Sequence, residues 1–346
     1  MKAKIGIIFV LPIGIFLSFL YWAQLPADGH VSYVVNGVSN TLTTPSKIKI
    51  LTFNIAYGRG PEDDILTGPK SETAIKENLA KISRFLKNTN ADVILLQEVD
   101  FASQRTHFTD EARHLAENAD YPSYACVTNW VKNYIPFPYW PPSKHFGRMK
   151  SGQCIMSKFP IKNNKRISLP QRKDKPFFYT AFDLTRAVQV VEIVIDGEAY
   201  NIFNVHLEAF DIKNREEQAE ILANLTSNSS VENIIVGGDF NSLPPQATTK
   251  KNFPDNPEKE WKEWGDVSGD RALKLFTSRA PKVAVVFTSD FPESETFTFP
   301  SDKPNRQLDY IFFSKNLISH RGRVLREAGT LSDHLPVYME LELLNK

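Results

Sequence analysis

From Lys47 onward, short apolar runs of strand character alternate with segments of helical period. "KIKILTFNIAY", "ADVILLQEVD", "SYACVT" and "GQCIMS" read as strands, as do "FFYTAFDL", "VQVVEIVID", "YNIFNVHL", "NIIVGG", "LDYIFFS", "GRVLREAG" and "PVYMELEL". Between them, "ETAIKENLAKISRFLKN" sets Ile75, Leu79, Ile82 and Leu86 on one helical face. Residues 109–119 form a shorter helix, and "KNREEQAEILANL" has Ala219, Leu222 and Leu225 on its apolar side. "GEA" is a hairpin-length link between two of the strands. No repeat or low-complexity tract interrupts the pattern. Strands predominate and mix hairpins with helical crossovers. The expected architecture is α/β (α+β): two mixed β-sheets packed face to face, with helices outside.

The first residues follow a different rule. "MKAKIGIIFVLPIGIFLSFLYWAQ" carries Lys2 and Lys4, then an apolar run from Ile5 to about Ala23. About twenty apolar residues can span a bilayer, so residues 1–23 are expected to be a transmembrane anchor or, if cleaved, a signal segment. Tyr21 and Trp22 stand where an interfacial belt would lie. With the lysines inside, the rest of the chain is expected on the periplasmic or extracellular side, membrane-anchored or secreted. Residues 24–46 read as a linker, with Asn36-Gly37 as a candidate hairpin turn, and residues 47–346 as one catalytic domain.

Composition narrows the partners. The chain has 346 residues, and its 41 basic and 40 acidic side chains give a net charge of +1. A near-neutral balance offers no chain-wide attraction to nucleic acid, though a local basic groove stays open. The two cysteines, Cys126 and Cys154, are compatible with one disulfide or with buried thiols. No Cys/His cluster of structural zinc type is present.

The unusual feature is polar residues at the ends of buried strands. Asn54 closes "ILTFN", Gln97 and Glu98 close "VILLQE", and His206 follows "FNV". Asp239 and Asn241 follow the glycine pair in "IIVGGDFN", Asp309 opens "DYIFF", and Asp333 with His334 precede the last strand. Alone, each reads as a turn former, a solvated strand end or a core hydrogen-bonder. Together they are costly unless they converge in space. Convergence gives a coherent chemistry: Asn54 and Glu98 offer hard oxygen ligands of the kind Mg2+ takes. Asp239 and Asn241, two apart on an extended segment, face one way. His206 and His334 can donate to charge building on a phosphate, with Asp309 or Asp333 fixing a tautomer. The set suits metal-assisted phosphoester hydrolysis and lacks a nucleophilic Ser or Cys in a recognisable elbow.

In order, "TFNI", "LQEVD", "NVHLE", "GGDFNS", "QLDYIF" and "SDHLPV" resemble the endonuclease/exonuclease/phosphatase superfamily over about residues 47–343. The resemblance implies a four-layer α/β sandwich. It implies that Asn54 and Glu98 bind the divalent metal, Mg2+ or Mn2+, with Asp333 supporting that side. It also implies that His206 and Asn241 contact the scissile phosphate, that Asp239 positions and activates water or protonates the leaving oxygen, and that Asp309 orients His334. "QEVDFASQRT" is similar to a bacterial branch, which brings Arg105 near the substrate; Arg186 is a further candidate phosphate contact. Where pancreatic-type nucleases carry an arginine two places after the metal glutamate, this chain has Asp100, which speaks against a DNA-backbone grip.

The substrate is expected to be set by residues 129–152, read as a loop rich in proline and aromatics beside the site. Trp130, Tyr134, Phe137, Tyr139 and Trp140 suit a membrane interface, and Lys144, His145, Arg148 and Lys150 suit lipid phosphates. The same residue types also stack on nucleobases. The favoured reading is a monomeric phosphodiesterase or phosphatase acting on a phospholipid or inositol-phosphate type substrate. An extracytoplasmic nuclease and an inactive anchored binding module are the alternatives.

Overall fold

The computed structural model describes residues 2–26, 29–37, 45–61, 68–255, 266–280, 282–284 and 292–342. Its strands are β1 (Ser32–Asn36), β2 (Lys47–Asn54), β3 (Val93–Asp100), β4 (Ser123–Ile135), β5 (Gly147–Ser157), β6 (Ile161–Ser168), β7 (Ala187–Ile195), β8 (Glu198–His206), β9 (Asn233–Asp239), β10 (Val283–Ala284), β11 (Asp309–Ser314), β12 (Ile318–Val324) and β13 (Val337–Glu342). The helices are α1 (Lys2–Gln24), α2 (Glu72–Thr89), α3 (Glu111–Asn118), α4 (Phe177–Thr180), α5 (Ile212–Ser227), α6 (Ala272–Arg279) and α7 (Glu293–Thr296).

One sheet runs β1-β4-β5-β3-β2-β13-β12 and the other β10-β11-β9-β8-β7-β6. Each is mixed, with one parallel pair: β2 with β3, and β8 with β9. The period of two explains the layering. Along β2, Ile48 and Ile50 join the core between the sheets, while Leu51 and Phe53 face the outer helices. Leu95, Ile202, Ile235, Ile311 and Met339 complete the inner core. α2 and α3 cover the first sheet, and α5 and α6 cover the second. This is the expected four-layer sandwich.

α2 shows why the sequence folds this way. Ser71 caps it by accepting from the Ala74 N–H, and Asn90 ends it in the left-handed region. Ile75, Leu79, Ile82 and Leu86 are all buried, at roughly 1.5–3 kcal/mol each. Between the sheets lies a polar seam absent from the expectations. Gln97 donates to Thr52 Oγ1 and Asn204 Oδ1, and Asn204 in turn donates to the carbonyls of Leu96 and Cys154. Every group bonded, such a seam fixes the sheets' relative register.

Several expectations are corrected. Among the described residues no helix is long and apolar enough to cross a membrane. That overturns the transmembrane anchor and the membrane-anchored placement drawn from it. The end of α1 docks on β4 instead: Ala23 is fully buried, Asn133 donates from its backbone to Leu25 O and from its side chain to Trp22 O, and Phe19 meets Tyr134 edge to face. Within residues 24–46, β1 pairs antiparallel with β4, and Asn36 lies opposite Ser123. The rest of the hairpin expected at Asn36-Gly37 lies largely outside the described residues.

The expected loop over residues 129–152 is mostly strand, since β4 and β5 form one long hairpin and only the proline-bearing tip leaves the ladder. "FFYTAFDL" contains α4 rather than a strand, with Pro176 accepting at its first turn. "GRVLREAG" leaves the strand at Val324 for a single turn over Arg326–Ala328. β6, unpredicted, is an edge strand whose exposed residues hide its period. Cys126 and Cys154 face each other across β4 and β5 and form a disulfide.

Candidate active site

The two sheets end at a common rim, and the register there brings the polar strand ends together. On the second sheet, His206 closes β8, Asp239 closes β9 and Asp309 opens β11; Asp239 lies opposite both of the others. On the first, Asn54 closes β2 beside Gln97. Glu98 follows at an irregularity in the β3–β5 pairing, with φ 53°, a conformation that re-aims its side chain out of the pleat. The Gly237-Gly238 pair has a matching reason: a Cβ at Gly238 would lie 1.9 Å from the Val205 carbonyl oxygen.

Asn54 is the hub. Its Nδ2 donates to Glu98 Oε1 at 3.1 Å and to Asp239 Oδ2 at 3.2 Å, while its Oδ1 accepts from the Ala56 N–H. Ser332 Oγ holds its backbone carbonyl. His206 Nε2 stands 3.9 Å from Glu98 Oε1 and 3.5 Å from Asp239 Oδ2. His334 Nε2 is 3.7 Å from that same Asp239 oxygen, and its Nδ1 is 2.8 Å from Asp309 Oδ2. Asn241, with φ 49°, donates its N–H to Asp239 Oδ1 and its side-chain amide to Leu207 O. Asp333 takes Ser332 Oγ–H on its carboxylate.

The electrostatics separate the two histidines. Burial opposes charge on His334, but Asp309 and Asp239 outweigh it and push its pKa up to about 10. Burial, helped by Arg186 and then His334, drives His206 well below the usual imidazole range. One ring is therefore cationic at neutral pH and the other neutral. Burial raises Asp239 to about 7, with Asp309 adding to the shift and His334 opposing it. Asp333 is raised by burial and further by the charge of Glu98.

Two donor sets can be tested against a cation. Asp239, Asp309 and His334 present ligand atoms within 4.8 Å of one another. In that set His334 Nδ1 and Asp309 Oδ2 are already bonded to each other, and the ring is held protonated, so it behaves as an acid–base unit. The other set is Glu98 with Asp333; Asn54, expected as a ligand, turns its N–H groups to Glu98 and Asp239 and its oxygen to the Ala56 N–H. Glu98 is the more open carboxylate, with 31% of its side chain exposed, and the two acidic groups repel across a gap that a cation would relieve. Oxygen donors with room for water fit Mg2+ or Mn2+.

A small pocket open to solvent adjoins this set, lined by Glu98, Arg105, Asn129, Trp130, Leu184, Arg186 and His206 among others. Arg105 is buried, bonded through Nε and Nη2 to both Asp100 oxygens at 2.9 Å, and stacked 3.5 Å over the Tyr57 ring. The predicted catalytic and metal-side residues thus gather at one rim, and both arginines line the cavity next to it. Sequence reasoning missed Asn129, buried on β4, and Ser332, whose hydroxyl ties the last loop to β2.

Sequence and shape comparisons agree with this geometry. The Endonuclease/Exonuclease/phosphatase family profile matches residues 51–334, which spans every strand end just described. The chain belongs to this family. Members of the Endonuclease/Exonuclease/phosphatase family are divalent-metal-dependent hydrolases of phosphoester bonds, and the chain is such a hydrolase. Among solved structures it is similar to an endonuclease/exonuclease/phosphatase from Beutenbergia cavernae (19% identity, TM-score 0.57, covering 86% of this chain and 72% of that one). It is similar also to TDP2 of D. rerio complexed with a single strand DNA product (15%, 0.56, 86% and 100%). A third is a mannosyl-6-phosphatase of Bacteroides thetaiotaomicron (17%, 0.55, 86% and 100%). At these identities the likeness is one of fold. Among curated proteins none matches the chain.

Proposed function

We propose that the chain is a Mg2+-dependent phosphoesterase, with Mn2+ also suited to its oxygen donors, acting on a small phosphorylated polyol of the inositol-phosphate type. The observation that carries the reading is the bridging of Glu98 and Asp239 by a single Asn54 amide, with both histidines within 4 Å of those carboxylates. Glu98 would hold the ion, with Asn54 orienting the Glu98 carboxylate and Asp333 supporting. When bound, the ion neutralises phosphate charge and stabilises the departing oxygen.

Asp239 orients the attacking water and takes its proton, a task matched by a carboxyl poised near 7. His334, cationic and held by Asp309, donates to the charge that grows on the phosphate oxygens. His206, neutral, contacts the scissile phosphate. Asn241 has one amide N–H on Leu207 O, which leaves the second for the phosphate.

Two features support a compact substrate over a nucleic-acid backbone. Arg105 spends its charge on Asp100, and the whole chain is near neutral. The test is phosphate release from inositol phosphates by the full chain with Mg2+, set beside nicking of plasmid DNA. Release from the polyol with little nicking is expected. Strong nicking without release would overturn the substrate assignment in favour of a nuclease, and inactivity on both would favour an inert binding module.

A further inference from the structure

The cavity beyond Glu98 contains a buried positive charge with no partner. Arg186 stands just ahead of β7 and is only 4% exposed, yet its Nε and Nη1 have no hydrogen-bond acceptor. Among the described residues no carboxylate lies within ion-pair distance of it. Asp183, whose charge it feels, is itself raised to about 6, by burial first and by Glu208 next. Arg105, across the same cavity, is the contrast: its charge is met by Asp100. A buried guanidinium without an anion is costly, so a ligand anion is the natural complement.

The cavity has a second unmet group. Asn129 Oδ1 is buried without a donor, while its Nδ2 is committed to Gln153. Trp130 and Leu184 supply an apolar wall. The lining includes Glu98 and His206 but none of Asp239, Asn241, Asp309 or His334. Arg186 thus shares a pocket with Glu98 and His206 but not with Asp239 or His334, which suits an arm of the substrate beyond the reacting phosphate.

We propose that Arg186 binds a second anionic group carried by the leaving arm, with Asn129 Oδ1 accepting from a hydroxyl of that arm and Trp130 packing against its body. The substrates favoured are phosphorylated polyols with at least one anion besides the reacting phosphate. This rests on the phosphoesterase reading and deepens it.

The test is calorimetric binding of inositol 1-phosphate and inositol 1,4-bisphosphate to the full chain in EDTA, where no turnover intervenes. Wild type should bind the bisphosphate at least about tenfold more tightly, the weight of a charge-assisted contact. In Arg186→Gln the two affinities should converge to within about threefold. Equal affinities in wild type, or a preference that survives Arg186→Gln, would overturn the proposal. Should that variant fail to fold, Asn129→Asp puts a carboxylate in the same cavity and must remove the preference; its persistence overturns the proposal equally. Hydrolysis of bis(p-nitrophenyl) phosphate with Mg2+, assayed alongside, tests the phosphoesterase reading separately, since binding is read whether or not turnover occurs.

Discussion

His334 Nδ1, in the loop before β13, and Asp309 Oδ2, at the start of β11, stand 2.8 Å apart, both buried. The pair sets the charge of the site. It keeps one imidazole cationic in a place where burial alone would discharge it, while His206, buried, without a hydrogen-bonded carboxylate on its ring and near Arg186, stays neutral.

The pH dependence follows from two groups. Asp239 must be deprotonated to take a proton, so kcat/KM should rise as pH passes about 7. His334 must be protonated to donate, so activity should fall as pH passes about 10. A metal-saturated rate profile from pH 5 to 11 measures both limbs. A profile flat across that range would contradict the two assignments.

Asp309→Asn keeps the shape of the pair and removes its charge. Without that anion burial prevails, and the His334 pKa falls toward or below its ordinary value. The alkaline limb should move down by more than one pH unit, and kcat should drop about 10²–10⁴-fold, as for other oriented acid–base pairs. A lowered rate with an unmoved limb would mean that Asp309 acts on something other than His334.

Asp100 and Arg105 form a two-point ion pair sealed under Tyr57 and Phe146. Asp100→Asn leaves a buried guanidinium without its counter-charge and should cost about 3–5 kcal/mol of stability. Urea titration reads this directly. A loss below about 1 kcal/mol would place the pair among weak surface bridges.

These pairs show what the sequence pattern could and could not carry. Each strand-end polar residue was legible because an apolar run stops at it, but strand parity does not place Asn241, which lies past the end of β9 with φ 49°. Their convergence was not legible, since the β8–β9–β11 register that sets His206 and Asp309 opposite Asp239 depends on strands far apart in sequence. Glu98's left-handed backbone leaves no mark in the letters around it. Arg105 and Arg186 looked alike as candidate phosphate contacts; only burial and partners separate them, one bonded to Asp100 and the other unmet. The N-terminal run misled because apolar length is the same signal for a membrane span and for a helix whose end docks on a strand. β6 escaped because an edge strand with polar residues on both faces has no period to read.

Glu98 is the group on which the whole account turns, as the open carboxylate that Asn54 binds beside Asp239. The most direct test is the Mg2+ dependence of bis(p-nitrophenyl) phosphate hydrolysis by the full chain and by Glu98→Gln. No turnover is expected in EDTA, full recovery in Mg2+, and a half-saturating Mg2+ concentration at least about tenfold higher in the variant, the scale of losing one anionic ligand. Turnover that persists in EDTA, or identical Mg2+ curves for the two proteins, would contradict it.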